Sequence, residues 1–323
     1  MSKNQSISIQ YLTAELDKLG WPYRHIDESR MIMEMTPPGC EPIIFRVTNS
    51  EFVSAIGRYL ADHKDLTYEM CESAGIKVPK SIIHNDMDTS SKFMSGYEKV
   101  VVKPVDGCHG EGVTTGVDNN SHLEEALAYS MQDYDNILVQ EQVFGEDVRV
   151  LFIGDEFIGA IIRHPASVTG DGSSTIKQLI ETENKKENRG KNYSKSLNEI
   201  DFEAASLYLG GDIDNIPNSG EEVKVIGAAN VGLGGVSEDI TDKISKNIIV
   251  QARKAKNLLR VTHAGVDFMI PDPFSEPSDS NPLNLIELNA GPLLAFHEKP
   301  NIGEGKPVSS IYLNWLKEQA LKR

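Results

Sequence analysis

Two short stretches hold the residues best placed for chemistry. In KVVVKPVDGCHGEGVTTGV (residues 99–117) an apolar run ends at Lys103-Pro104 and enters a loop with four glycines. In LNLIELNA (283–290) the period of a strand puts Glu287 and Asn289 on one face, with Ile286 and Leu288 on the other. Asp267 sits the same way in HAGVDFMI, between Val266 and Phe268. Hard oxygen donors of this kind, completed by phosphate oxygens and water, are what Mg²⁺ takes in a nucleotide site. A lysine ahead of a glycine loop suits a lid whose backbone amides approach phosphates.

Each feature also has a plainer reading. The loop alone reads as a turn between two strands before it reads as a nucleotide site. No GxxxxGK[ST] is present, and the loose pattern Gly110-Glu111-Gly112 with Gly116 does not open directly into a helix as a dinucleotide fingerprint must. Glu287 and Asn289 alone could line a solvated strand face. In DVRVLFI, Asp147 and Arg149 share a face, and in EFIGAIIRH, Arg163 closes an apolar run. A strand-end arginine can offset phosphoryl charge in a transition state or make a structural ion pair, and the pattern leaves both open.

The elements that must position these residues follow from periodicity. SISIQYLTAELDKLG reads as a helix stopping at Gly20, and PIIFRVT as a strand. Ser50 is the expected cap of EFVSAIGRYLADHKDLTYEMCESAG, two helices broken near 62–65 and ended by Gly75. A capping box of Ser121 and Glu124 opens the helix SHLEEALAYSM. DVRVLFIG and EFIGAIIRH read as a hairpin, and EDITDKISKNIIVQARKAKNLLR as one long helix. Residues 181–200 are polar enough to read as a mobile surface loop or frayed helix, and VSSIYLNWLKEQALKR as a closing helix. Hairpins mixed with helices, without an internal repeat, predict α+β subdomains.

Composition narrows the partners. A net charge of −16 over 323 residues argues against general nucleic-acid binding and against a polybasic membrane anchor. No apolar run is long enough to span a bilayer, and the N-terminus has no secretory h-region. Three cysteines without CxxC spacing fit a reducing cytoplasm. Any anionic substrate needs local cations to offset the acidic field.

With these residues placed, the chain from about Ser8 to Val308 resembles the ATP-grasp amide ligases. The nearest resemblance is to the ATP-grasp modules of the bifunctional γ-glutamylcysteine ligase/glutathione synthetases and of cyanophycin synthetases. Seven stretches carry it in order: TNSEFVSAIGRYLADHKDLTYEMCESAGIKVP, VVVKPVDGCHGEGV, VQEQVFGEDVRVLFIGDEFIGAIIRHPASVTGDG, ANVGLGGVSEDITD, AGVDFMIPD, IELNAGP and HEKPNIGEGKPV.

The resemblance implies an α+β ATP-grasp fold with a leader over 1–60, a small lid subdomain over 61–139 and a larger catalytic subdomain over 140–323, ATP lying between the last two. It implies that Lys64 and Lys103 bind ATP phosphates under a lid of Gly107, Gly110 and Gly112. Gln140, Glu141 and Val143 fall in the adenine-reading hinge, and Asp147 matches the ribose-binding acid. Asp267, Glu287 and Asn289 match the ligands of two Mg²⁺ ions, which Mn²⁺ can replace. Arg163, with Arg149, matches the basic groups at the transferred phosphate, and Asn230, His297 and Lys306 fall in the substrate-binding segments. Lys306 stands where the family has arginine, keeping the charge but losing the bidentate fork. Cys108 and His109 have no assignable family role. The implied reaction is ADP-forming ligation of a carboxylate to an amine, each an amino acid or short peptide, in a chain that could form homodimers. A non-catalytic nucleotide-binding regulator and a small-molecule kinase are the alternatives.

Overall fold

A computed structural model of the chain describes residues 7–107, 110–191, 195, 197–227, 229 and 231–323. Packing divides the chain into two compact units built from interleaved segments. The first takes residues 1–53, 149–242 and 291–323, and the second takes 54–148 and 243–290.

In the first unit, the N-terminal helix Ile7–Leu19 buries Ile9, Leu12 and Leu16, a helical spacing, and ends at Gly20. Strands Tyr23–Asp27, Ile32–Met35, Ile43–Arg46 and Asn49–Ser50 then form a four-stranded antiparallel sheet. The first two of these strands were not foreseen from the sequence. Alternation puts Met33, Met35, Ile43 and Phe45 on its buried face. That face joins Leu151, Ile153 and the C-terminal helix residues Tyr312, Leu313 and Leu316 in one core. Strands Glu146–Ile153 and Glu156–His164 flank a Gly154-Asp155 turn, as expected. A smaller core gathers Val168, Ile176, Ile180, Ile200 and Val225.

In the second unit, helices Ala55–Asp62 and Lys64–Ser73 break at His63, within the expected window. A four-stranded sheet runs in the order Ser81–Ile83, Ile137–Glu141, Val100–Pro104, Thr114–Val117. Its core holds Val100, Val102, Val117 and Val139 against Leu123, Ala126 and Leu127 of the helix Asn120–Ser130. Helix Lys246–Leu258 and the antiparallel pair His263–Ile270 and Asn284–Asn289 complete the unit.

Several local expectations are corrected. Helix Ala55–Asp62 is capped by Ser54, whose hydroxyl accepts from Gly57 N at 3.0 Å, while Ser50 lies in a strand. Asn119, not Ser121, caps the helix at 120, accepting from His122 N at 3.0 Å. The long helix expected over 238–260 begins only at Lys246, because residues 236–239 pair as a strand with Glu156–His164. Segment 181–200 is also more built than expected: a helix reaches Asn184 and residues 189–190 pair in parallel with 197–198. No described helix is long and apolar enough to cross a membrane.

Candidate active site

The two expected phosphate lysines, the glycine loop and the expected metal ligands all fall in the second unit. Lys64 opens a helix, its backbone N–H donating to Val105 O at 3.1 Å, which ties the helix start to the glycine loop. Its ammonium is buried and donates to Gly107 O at 2.7 Å. The same ammonium lies 3.4 Å from Glu287 Oε1. Cation, loop carbonyl and carboxylate therefore meet at one point.

Glu287 reaches that point because its strand pairs with the Asp267 strand in a fixed register. Asp267 lies directly across from Glu287, and Gly265 across from Asn289. Such pairs project to the same face about 5 Å apart. A bulge follows Asp267, so Phe268 pairs with Leu285 and leaves Ile286 out of the ladder. Leu285 and Leu288 are the buried apolar residues of this strand, and Ile286 is only half-buried, so the simple alternation holds from 287 onward. Asn289 Nδ2 donates to Asp267 Oδ2 at 3.2 Å. Two carboxylates and an amide oxygen make a hard donor set that suits Mg²⁺ with phosphate oxygens. Among the described residues no group of three or more His, Cys, Asp or Glu side chains forms a metal site, so this mixed trio is the donor set available.

Lys103 is anchored by a residue the sequence reading missed. Its ammonium, 5% exposed as a residue, donates to the Tyr68 hydroxyl at 3.0 Å. Tyr68 Oη in turn lies 2.9 Å from Gln140 Oε1 and 2.7 Å from Ile286 O, the two acceptors open to its single proton. Burial, then the like charge of Lys64, lowers the Lys103 pKa to about 7, against a smaller upward pull from Glu287. Burial, with Glu287 adding to it, holds the Tyr68 phenol well above its ordinary value, so it stays a neutral donor. Tyr68 follows Lys64 by four residues and so shares its helix face. That spacing was the available signal, but the same position reads as core.

The glycine loop does join two antiparallel strands, Val100–Pro104 and Thr114–Val117. Gly112 has φ +69°, and a Cβ there would stand 3.0 Å from Pro104 Cγ, so both conformation and space require glycine. Gly110 also has positive φ. Cys108 and His109 lie outside the described residues. In the hinge, Gln140 is buried against Tyr68, and Glu141 Oε1 accepts from Lys80 N at 2.8 Å. Val143 follows that strand, and Asp147 is the second residue of the next one, half-buried.

The remaining expected residues belong to the first unit. Arg149 is buried, and Arg163 pairs across the sheet with Ser237. His297 is buried on a short helix, and its carbonyl accepts from Lys306 N at 2.9 Å. A Cβ at Gly159 would stand 2.8 Å from Thr241 Oγ1, 3.6 Å from His297 Nδ1 and 3.9 Å from Lys306 Cγ, so this glycine lets the three converge. Lys306 Nζ approaches Asp242 Oδ2 at 3.9 Å. Asn230 lies outside the described residues.

Comparison with known proteins bears on the family and the fold. The chain is 28% identical over 316 residues to the cyanophycin synthetase of Trichormus variabilis, covering 96% of this chain and 35% of that protein. It is 28% identical over 318 residues to the bifunctional glutathione biosynthesis protein of Clostridium perfringens, covering 96% and 41%. The chain thus spans well under half the length of these relatives. The crystal structure of a bifunctional glutathione synthetase from Pasteurella multocida superposes with a TM-score of 0.70 at 24% identity, over 98% of this chain and 44% of that one. The ATP-grasp domain family matches residues 61–290, a span that encloses every phosphate and metal candidate from Lys64 to Asn289. This chain belongs to the ATP-grasp family.

Proposed function

We propose that the chain is an ADP-forming carboxylate–amine ligase acting on amino acids or short peptides. The observation that carries the reading is the cluster of Lys64, Glu287, Asp267 and Asn289 beside the glycine loop. An ammonium and hard oxygen donors at one point suit a triphosphate with its metal. Asp267, Glu287 and Asn289 would hold two Mg²⁺ ions, or Mn²⁺, which when bound neutralise β- and γ-phosphate charge.

The roles of the other residues follow. Lys64 and Lys103 neutralise phosphate oxygens, and the amides of Gly107, Gly110 and Gly112 approach them from the loop. The Gln140–Val143 hinge reads adenine. Among the described residues the Val143 main chain has no hydrogen bond, so it can serve that edge. Asp147 takes the ribose hydroxyls. The substrate carboxylate oxygen attacks the γ-phosphorus, the bond to the β-γ bridging oxygen breaks, and ADP departs. Arg163 and Arg149 offset the charge that spreads over the phosphoryl oxygens. The amine nitrogen then attacks the acyl carbon, loses a proton and expels inorganic phosphate. Asn230, His297 and Lys306 position acid and amine. Residues 61–139 act as the lid and 140–323 as the catalytic part, with 1–60 as a leader, a functional division different from the division by packing. The free thiols of Cys40 and Cys71 fit a reducing cytoplasm.

The test pairs amino acids and short peptides with ATP and Mg²⁺ and follows phosphorus by NMR. ADP and inorganic phosphate appearing in step with a new amide is the expected result. AMP and pyrophosphate contradict the acyl-phosphate route, and a stable phosphomonoester makes the protein a kinase.

A further inference from the structure

The loop proposed to cover the phosphates returns through Thr114–Val117, a four-residue strand at the edge of its sheet with one neighbour, Val100–Pro104. The ladder between these two strands is irregular. Val102 pairs with Thr114 and Val100 with Val117, so Thr115 and Gly116 together face Val101 alone. Such a bulge disrupts the run of ladder hydrogen bonds at the extra residue. Gly116 takes φ +78° there, and its N–H donates to Gln142 Oε1 at 2.6 Å.

Gln142 comes from the other end of the proposed nucleotide site. It lies between Glu141 and Val143 of the hinge, one residue past the strand Ile137–Glu141. That strand flanks Val100–Pro104 on the side opposite Thr114–Val117, so the two outer strands run about 10 Å apart and share no ladder. The Gln142 main chain docks on the middle of the three, its N–H donating to Lys99 O at 3.1 Å just before Val100. Its side chain spans the rest of the gap. The hinge is itself anchored: Glu141 N donates to Lys80 O at 2.8 Å, and Glu141 Oε1 accepts from Lys80 N at 2.8 Å. One half-buried amide oxygen therefore ties the strand leaving the glycine loop to an anchored hinge. All of these residues belong to the second unit.

We propose that Gln142 is a positioning residue for the nucleotide: by holding Gly116 it sets where the glycine loop stands over the phosphates, so the segment that reads the base also places the lid. The proposal rests on the nucleotide reading of hinge and loop. Its plainer rival is that Gln142 only satisfies an N–H that the bulge sets free. An edge strand with one neighbour and a disrupted ladder has little else to hold it, so loss of this bond should reach the loop. Gln142→Met keeps the length of the side chain and removes the acceptor, whereas Gln142→Glu keeps an acceptor oxygen at the same reach.

The test uses the full chain and both variants, with hydrogen exchange read by mass spectrometry and calorimetric titration of a non-hydrolysable ATP analogue with Mg²⁺. In Gln142→Met without nucleotide, exchange over 110–117 should quicken about fivefold, the scale of one lost hydrogen bond, while exchange over 137–141 stays unchanged. The analogue's dissociation constant should rise by about the same factor, and Gln142→Glu should restore both. Unchanged loop exchange in Gln142→Met overturns the proposal. Faster exchange with unchanged affinity also overturns it, leaving only the bulge role. A Gln142→Glu variant as impaired as Gln142→Met shows that the acceptor is not what matters, and quickening that extends over 137–141 makes the effect a general loosening of the sheet; either result overturns the tie. Failure of the natural chain to bind the analogue removes the nucleotide reading and the proposal with it, whereas the other adverse outcomes arise with natural binding intact and remove the proposal alone.

Discussion

Lys103 has a pKa of about 7 because its ammonium is buried and faces Lys64 across the same site. An ordinary lysine titrates near 10.4. Phosphates bind the ammonium form, so nucleotide should raise this pKa and draw a proton from solvent at any pH between the two values. At pH 8.5 we expect uptake approaching one proton per ATP analogue, read by calorimetry in buffers of different ionisation enthalpy. ATP affinity should fall as pH rises above 7. The sign for stability runs with it: between about 7 and 10.4 the unfolded chain holds the proton and the folded chain does not, so this group's contribution grows more favourable as pH rises. Tyr68→Phe should destabilise the fold by about 1–3 kcal/mol in urea titration, because it strands Gln140 Oε1 and removes the acceptor of Lys103. Glu287→Gln should lower kcat by about two orders of magnitude or more with near-UV circular dichroism unchanged, since it alters charge and not volume. Wild-type turnover in that variant across Mg²⁺ concentrations would remove the metal assignment. The chemistry-bearing types at this scale were legible, because a lysine before a glycine loop and oxygen donors on an apolar strand break the expected pattern. Tyr68 was not, because a buried tyrosine looks like core.

The glycine loop is the element on which nucleotide affinity is proposed to depend. Hydrogen exchange over its described residues, 106–107 and 110–116, should slow when an ATP analogue and Mg²⁺ are added. Equal exchange in both states would leave it a plain turn. Gly112→Ala should raise the KM for ATP, because it strains a left-handed residue and presses a Cβ against Pro104. A KM unchanged in that variant would separate the loop from ATP binding. Element type was legible wherever one local period ran unbroken, as in Ile7–Leu19, His263–Ile270 and Val308–Leu321. It failed where a distant partner decided the outcome. Residues 238–239 open a helix-like run, yet Glu156–His164 recruits them, with 236–237, as a strand. The caps failed for a different reason. Several candidate capping side chains precede each helix, and the one whose oxygen reaches the third helical N–H is settled by backbone geometry.

At the scale of the whole molecule, the order of seven motifs carried the family, and the family span of 61–290 agrees with it. The interleaving of segments into two units was not legible, because periodicity reports a residue's neighbours within one element and nothing about which segments share a core. The acid and the amine were hidden for a related reason: the residues proposed to position them, such as His297 and Lys306, are brought together only by the fold, where His297 O accepts from Lys306 N. What the molecule is proposed to do overall is activate a carboxylate as its phosphate and hand the acyl group to an amine. The most direct test replaces the amine with hydroxylamine and supplies a panel of amino acids and short peptides with ATP and Mg²⁺. The account predicts an acyl hydroxamate and ADP in a one-to-one ratio, dependent on the acid and lost in Glu287→Gln. AMP as the nucleotide product, or ADP formed without any hydroxamate on every acid, would contradict it.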